Sequence, residues 1–179
     1  AEGFYIIGDA VRFVDETAPE KGLMFNGRVS EDFKLSSGTW VNVGMLRVKA
    51  LAMLAPIAQD IVLTGHDSDA IGFLVFANAN ACRSLCTDLP ADATLAQVLS
   101  HANLHEKVLH GMQALAREGG GSSTYATRAL LMAEPASIDA GEITDKGYIN
   151  QRAVLAHRSA LVQKLQTKTV GHDIIELKI

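Results

Sequence analysis

The chain reads as an α+β domain: a small mixed domain with an antiparallel hairpin and a short β-sheet flanked by helices. Three observations predict it. Two β-rich runs, Ile61-Val-Leu-Thr64 and Ile71-Gly-Phe-Leu-Val-Phe76, are separated by the polar turn Gly65-His-Asp-Ser-Asp69, the pattern of an antiparallel pair. Leu95, Val98, Leu99, Ala102, Val108, Leu109, Met112 and Leu115 recur at helical spacing, predicting one amphipathic helix over Leu95 to Arg117. The segment from Met24 to Val43 alternates around Gly27-Arg28 and Gly38, which reads as strand, tight turn, strand, with Arg28 and Lys34 beside the turn.

The rest follows in order. Phe4 to Val14 reads as two strand halves around a Gly8-Asp9 break, where Asp9 either faces a ligand or satisfies turn amides. Asp15 to Gly22, with Pro19, is a surface loop. Met45 to Ala58 is crowded with apolar residues and predicts a largely buried helix ending near Pro56. Asn78 to Leu89 holds a short helix. Gly119-Gly-Gly-Ser-Ser-Thr124 ends the long helix, and Thr127 to Ala133 is a strand candidate. The polar, glycine-bearing loop Asp139 to Asn150 runs into a helix over Gln151 to Leu165, and residues 167–179 either add an edge strand or stay mobile.

With 179 residues the chain fits one ordinary domain, or one domain and a piece of another. The balance of 16 Lys and Arg against 20 Asp and Glu, with no basic block, argues against nucleic acid or an anionic membrane as partner. The apolar run Leu51 to Ala58 contains Pro56 and is too short to span a bilayer. Cys82 and Cys86 are too few for a disulfide framework and read as a helical i, i+4 pair packed in a reducing, cytoplasmic compartment. His66 and Asp67 are explained by turn chemistry. His101 and His105 share a predicted helix face, but Glu106 follows the second histidine where a zincin places it after the first, so surface histidines are the simpler reading and no metal site is expected. No signal peptide and no initiator Met precede Ala1, so the chain reads as a fragment or processed product.

Three stretches, taken in order, resemble the adenylate-forming superfamily of acyl-CoA synthetases, luciferases and peptide-synthetase adenylation domains. Tyr5-Ile-Ile-Gly-Asp9 resembles its Tyr-x-Thr-Gly-Asp motif, with Ile7 at the Thr position. Gly27-Arg28-Val-Ser-Glu-Asp-Phe-Lys34 resembles its Gly-Arg-x-Asp-x-x-x-Lys hinge, with Ser30 at the hinge acid position. Gly141-Glu-Ile-Thr-Asp-Lys-Gly-Tyr-Ile-Asn-Gln-Arg152 sits where the C-terminal lysine motif belongs. The wording is most similar to feruloyl-CoA synthases. Each motif alone is weak; three in family order are specific.

The resemblance implies a two-step reaction in which ATP and a small aromatic or aliphatic carboxylic acid give an acyl-adenylate, and CoA then displaces AMP. It implies that Asp9 and Arg28 bind the nucleotide, that Ser30 is the pivot, and that Lys34, Gly38 and Trp40 form the CoA-side hairpin. Lys146 would be the catalytic cation, although an ungapped match puts Tyr148 at the lysine position, two residues later. ATP, Mg2+ and CoA are implied as cosubstrates, with no tightly bound cofactor. Residues 1–29 would be the tail of a large N-terminal adenylation domain, 30–166 the mobile C-terminal domain and 167–179 a tail. The partner would be that missing domain, without which the chain should not adenylate; the oligomeric state stays open. The alternative is an inert binding or regulatory α+β module derived from the same domain.

Overall fold

The structure is a computed structural model that describes Gly3, residues 8–167 and residues 169–178. The strand half expected over residues 4–7, with Tyr5 and Ile7, lies outside the described residues. At the centre is a four-stranded sheet of β5 (Ala58–Thr64), β6 (Ile71–Ala77), β7 (Ala126–Met132) and β8 (Ile174–Glu176), in that spatial order. The β5–β6 pair is antiparallel, as the turn residues predict. β6 and β7 run parallel, and β8 closes the far edge antiparallel to β7. β6 is a continuous apolar run because both of its faces are covered. Phe73 and Val75 enter one core with Ile61 and Leu63, while Leu74 and Phe76 enter a second with Val62.

Helices α1 (Val43–Met53), α2 (Ala79–Ser84), α3 (Leu95–Leu99) and α4 (Ala102–Arg117) supply the first core. Helices α5 (Gln151–His157) and α6 (Ser159–Gln166) supply the second. Three helices start on an asparagine whose side-chain oxygen accepts an early helical amide: Asn42 from Met45, Asn78 from Ala81 and Asn150 from Ala153. Such a cap contributes about 1 kcal/mol. Outside the main sheet lie two ribbons: β1 (Asp9–Phe13) with β2 (Leu23–Arg28), and β3 (Phe33–Lys34) with β4 (Trp40–Val41). The loop between β1 and β2 carries a single 3-10 turn at Pro19–Lys21.

Five sequence expectations need correction. Met24 to Val43 is not one hairpin: β2 pairs back to β1, and the tight hairpin is β3–β4 alone. Gly27 sits inside β2 rather than in a turn, and its φ of +94° together with the Gly44 backbone of α1, 3.1 Å from where a Cβ would lie, calls for glycine there. α1 is buried on one face only, through Val43, Leu46 and Ala50, while Val48 is 69% exposed. The helix expected over Leu95 to Arg117 is broken at Ser100-His101, where the His101 ring caps α4 by accepting the Asn103 amide. Consequently His101 and His105 do not share one helix: His101 meets Asp88, and His105 bonds the Leu99 carbonyl. The last predicted helix is likewise two, α5 and α6, joined at Arg158.

Of the two cysteines, Cys82 lies in α2 and Cys86 just beyond its end, both buried as free thiols. Burial pushes the Cys82 thiol up to about 11 and raises that of Cys86 as well. No helix among the described residues is long and apolar enough to cross a membrane.

Candidate functional site

The β1–β2 ribbon brings Asp9 and Arg28 together. They are register partners across the two strands, next to a bulge between Asp9 and Val11, and both are exposed. The chain then turns sharply: Val29 donates to the Gly8 carbonyl and Glu31 to the Arg28 carbonyl, leaving Ser30 exposed in the bend. The Arg28 guanidinium lies 3.7 Å from Glu31, a solvent-screened pair of small worth. The ribbon is held to α1 by close backbone approach, since a Cβ on Gly44 would fall 2.5 Å from the Gly27 Cα. The Asn42 amide adds a 3.2 Å bond to the Asn26 carbonyl.

Arg28 borders two clefts. One, about 640 Å³, also takes in Ser30, His66, Asn150 and Arg152. The other, about 400 Å³, runs between the ribbon and α1 and takes in Arg47 and Tyr148. The clefts therefore gather Arg28 of the ribbon, Arg47 of α1 and Arg152 of α5. Guanidinium forks suit planar anions such as carboxylate and phosphate. The lining is not all cationic: Arg47 already forms a two-pronged pair with Asp60, and Glu31 lines both clefts.

Lys34, Gly38 and Trp40 sit together on the β3–β4 hairpin. Lys34 and Trp40 are register partners, and the Lys34 ammonium stands 5.0 Å from the centre of the Trp40 ring, within cation–π range. The turn is closed by the Gly38 amide on the Leu35 carbonyl at 2.8 Å, with Gly38 at φ +81°. The hairpin is docked on the β5–β6 turn. Asp67 donates its amide to the Lys34 carbonyl, Ser36 donates its own to the Ser68 carbonyl, and the Ser36 hydroxyl bonds Asp69 at 2.7 Å. The residues read as plain turn chemistry thus also anchor the hairpin.

Lys146 lies on a small closed loop before α5. Ile143 and Ile149 are bridged, Thr144 donates to the Tyr148 carbonyl, and Gly147, at φ +81°, donates to the Thr144 carbonyl. The Lys146 side chain is exposed and forms no ion pair among the described residues. From this loop it is Tyr148 that lines the cleft beside Arg28, and Gly147 that lines another, about 650 Å³, at the ends of β6 and β7.

Reading the sequence missed Glu142 and Arg158. Glu142 looks like one more polar loop residue, yet it is fully buried. Arg158 grips both its carboxylate oxygens at 2.8 and 2.7 Å, and Ser137 donates its amide to one of them at 2.8 Å. The Arg158 bonds outweigh burial and hold the Glu142 carboxyl down to about 2. Arg158 also donates to the carbonyls of Glu134 and Pro135 and lies 4.9 Å above the Phe76 ring. Sixteen residues separate the partners, beyond any local spacing rule.

Comparison with solved structures gives the architecture a place. The adenylation domain of a carboxylic acid reductase from Segniliparus rugosus, in complex with AMP and a co-purified carboxylic acid, aligns with 90% of this chain at a TM-score of 0.66 and 18% identity. The adenylation domain of the carboxylate reductase from Mycobacterium chelonae aligns equally well, again at 0.66 and 18%. The fold is that of the C-terminal subdomain of an adenylation domain. The S. rugosus adenylation–carrier didomain with AMP gives a TM-score of 0.64 at 19% identity. The chain spans 20 to 23% of the length of these proteins. No protein-family model matches the chain, and no curated protein sequence does.

Proposed function

We propose that this chain is the small-domain portion of an ATP-dependent acid ligase, one that forms an acyl-adenylate and then an acyl-CoA thioester. The reading rests on one coincidence. The hinge and lysine motifs that resemble those of adenylate-forming enzymes, and Asp9 of the first motif, fall in family order on a fold shared with adenylation domains. Residues 1–29 would be the tail of the large domain and 30–166 the mobile domain, with 167–179 a C-terminal tail that returns to give its sheet β8. Asp9 would accept hydrogen bonds from the ribose hydroxyls, and Arg28 would donate to the ribose or a phosphate.

Lys146 would neutralise charge building on the α-phosphate and the substrate carboxylate. Pivoting at Ser30 would replace the Lys146 loop with the β3–β4 hairpin, whose Lys34, Gly38 and Trp40 would line the CoA side. ATP, Mg2+ and CoA would be cosubstrates. Mg2+ would arrive on the ATP phosphates. The acid would be a small aromatic or aliphatic one, and a feruloyl-type substrate follows from the motif wording. The compartment would be cytoplasmic.

The test is Lys146→Ala in the full-length protein, read by acid-dependent pyrophosphate exchange. Loss of a preorganised cation of this kind lowers the rate roughly 10²- to 10³-fold. A near-normal exchange rate removes Lys146 from the chemistry. A second reading, an inert binding or regulatory module of the same fold, draws on the position of Tyr148 in the Arg28 cleft while Lys146 is exposed. It requires the full-length parent to show no exchange with any acid offered.

A further inference from the structure

A fully buried carboxylate held by one guanidinium is an expensive thing to build into a loop. Exchanging such a pair for well-packed apolar residues is often neutral or stabilising, so stability alone gives little reason for it. What the Glu142–Arg158 pair does instead is geometric. Glu142 sits at the base of the Lys146 loop, and three groups of contacts converge on it.

Its side chain takes the Ser137 amide and its own amide bonds the Ser137 carbonyl at 2.9 Å, tying the incoming strand-to-loop segment. Its carbonyl accepts the Asn150 amide at 2.8 Å, and Asn150 caps α5, tying the outgoing end. Arg158, at the break between α5 and α6, holds the carboxylate by two N–H bonds and the preceding segment through the Glu134 and Pro135 carbonyls. Both ends of the 143–149 loop are therefore fixed to one buried point. Lys146 lies exposed at its tip, between these ties.

We propose that Glu142 and Arg158 are positioning residues for the lysine loop, setting the place and direction of Lys146 without touching substrate. The charge assignment suits this role: the carboxylate stays ionised at any working pH, so the clamp does not loosen with ordinary acidification. His157, 3.3 Å from the same carboxylate but 60% exposed, is the other titratable group that faces it. The catalytic half of this inference rests on the acid-ligase reading; the structural half does not.

Two readouts on the full-length protein separate them. The first is amide hydrogen exchange in Glu142→Gln, which keeps size and removes charge. Exchange at the Thr144, Gly147, Tyr148 and Asn150 amides should quicken roughly tenfold beyond any change in the β5 and β6 amides, which report global unfolding, in line with loss of a charge-assisted bond. The second is a comparison of half-reactions. Adenylation should fall on the order of 10- to 100-fold in kcat with KM for ATP little changed, since small misplacement of a reacting group carries costs of that order. Thioester formation from supplied acyl-adenylate should be retained.

A merely structural role would lower both half-reactions together through loss of folded protein. Should E142Q fail to fold, Arg158→Lys keeps the charge but loses the fork, and the same loop amides should quicken. Unchanged loop exchange overturns the clamp whatever the activity. Faster loop exchange with unchanged adenylation overturns the positioning role. A parent without exchange activity overturns the ligase reading and leaves the amide result to decide the clamp.

Discussion

Replacing Arg158 with Met strands a carboxylate in the interior, and its energetic signature should depend on pH in a defined direction. In the parent, Glu142 is depressed from an ordinary 4.5 to about 2, with the Arg158 hydrogen bonds the largest cause and burial the opposing one. A depressed carboxyl contributes stability that is complete above the unfolded value and is lost as pH falls through the folded one. Each tenfold change in proton affinity corresponds to about 1.4 kcal/mol, so the contribution is about 3 kcal/mol, lost between pH 4.5 and about 2. Removing one partner of a buried pair costs about 3–5 kcal/mol. Arg158→Met should therefore be destabilised by about that much near neutrality.

In acid, where Glu142 is protonated, the gap between variant and parent should narrow by about 3 kcal/mol. Urea unfolding of both proteins across this range measures it, and equal m-values keep the comparison valid. The depressed carboxylates Asp15, Asp88 and Asp173 titrate in both proteins and cancel in the difference. A gap that is the same at both ends of the range would show that Arg158 does not set the Glu142 charge state.

Two further outcomes are expected. Gly111→Ala in α4 gains about 1 kcal/mol of helix propensity, but its Cβ would lie 2.8 Å from the Met53 carbonyl and 2.5 Å from Leu54 Cδ2. Overpacking against backbone costs about 1–3 kcal/mol, so the variant should unfold at lower urea; a higher midpoint would reverse the assignment. Cys82 and Cys86 should resist thiol reagents at neutral pH until the chain unfolds, because both are buried and their pKa values are raised. Labelling of the native protein at the rate of a free thiol would contradict their placement.

Local chemistry made much of the fold legible. The β5–β6 pair could be read because Gly65 to Asp69 supplies a turn between two β-rich runs. Strand β7 and the glycine stop after α4 were visible for similar reasons. Pairing partners were not, because periodicity identifies a strand but not its neighbour: nothing in Ala126–Met132 says that it lies parallel to β6. The helix breaks were missed because the cap at one is a histidine ring and the joint at the other is an arginine held from a distant loop. Gly27 was read as a turn when its missing side chain serves contact with α1.

At the candidate site, the pairing of Asp9 with Arg28 and the grouping of Lys34 with Trp40 follow from short sequence separations closed by strands. Gathering Tyr148 and Arg152 at the clefts beside Arg28 needs the whole domain between them. No local spacing encodes that.

The parallel β6–β7 pair also sets an order in time. A parallel crossover cannot close until its second strand exists, and here α2, α3 and α4 all lie in the connection between Ala77 and Ala126. On a ribosome, the β5–β6 hairpin would emerge with β6 unpaired along its other edge, waiting for Ala126 to Met132 to be made. Non-local pairing of this kind is slow and leaves sticky strand edges open meanwhile. The domain's most buried strand is thus its most vulnerable one during synthesis, and helices α1 to α4, which share a core with Phe73 and Val75, are all made before its second partner arrives.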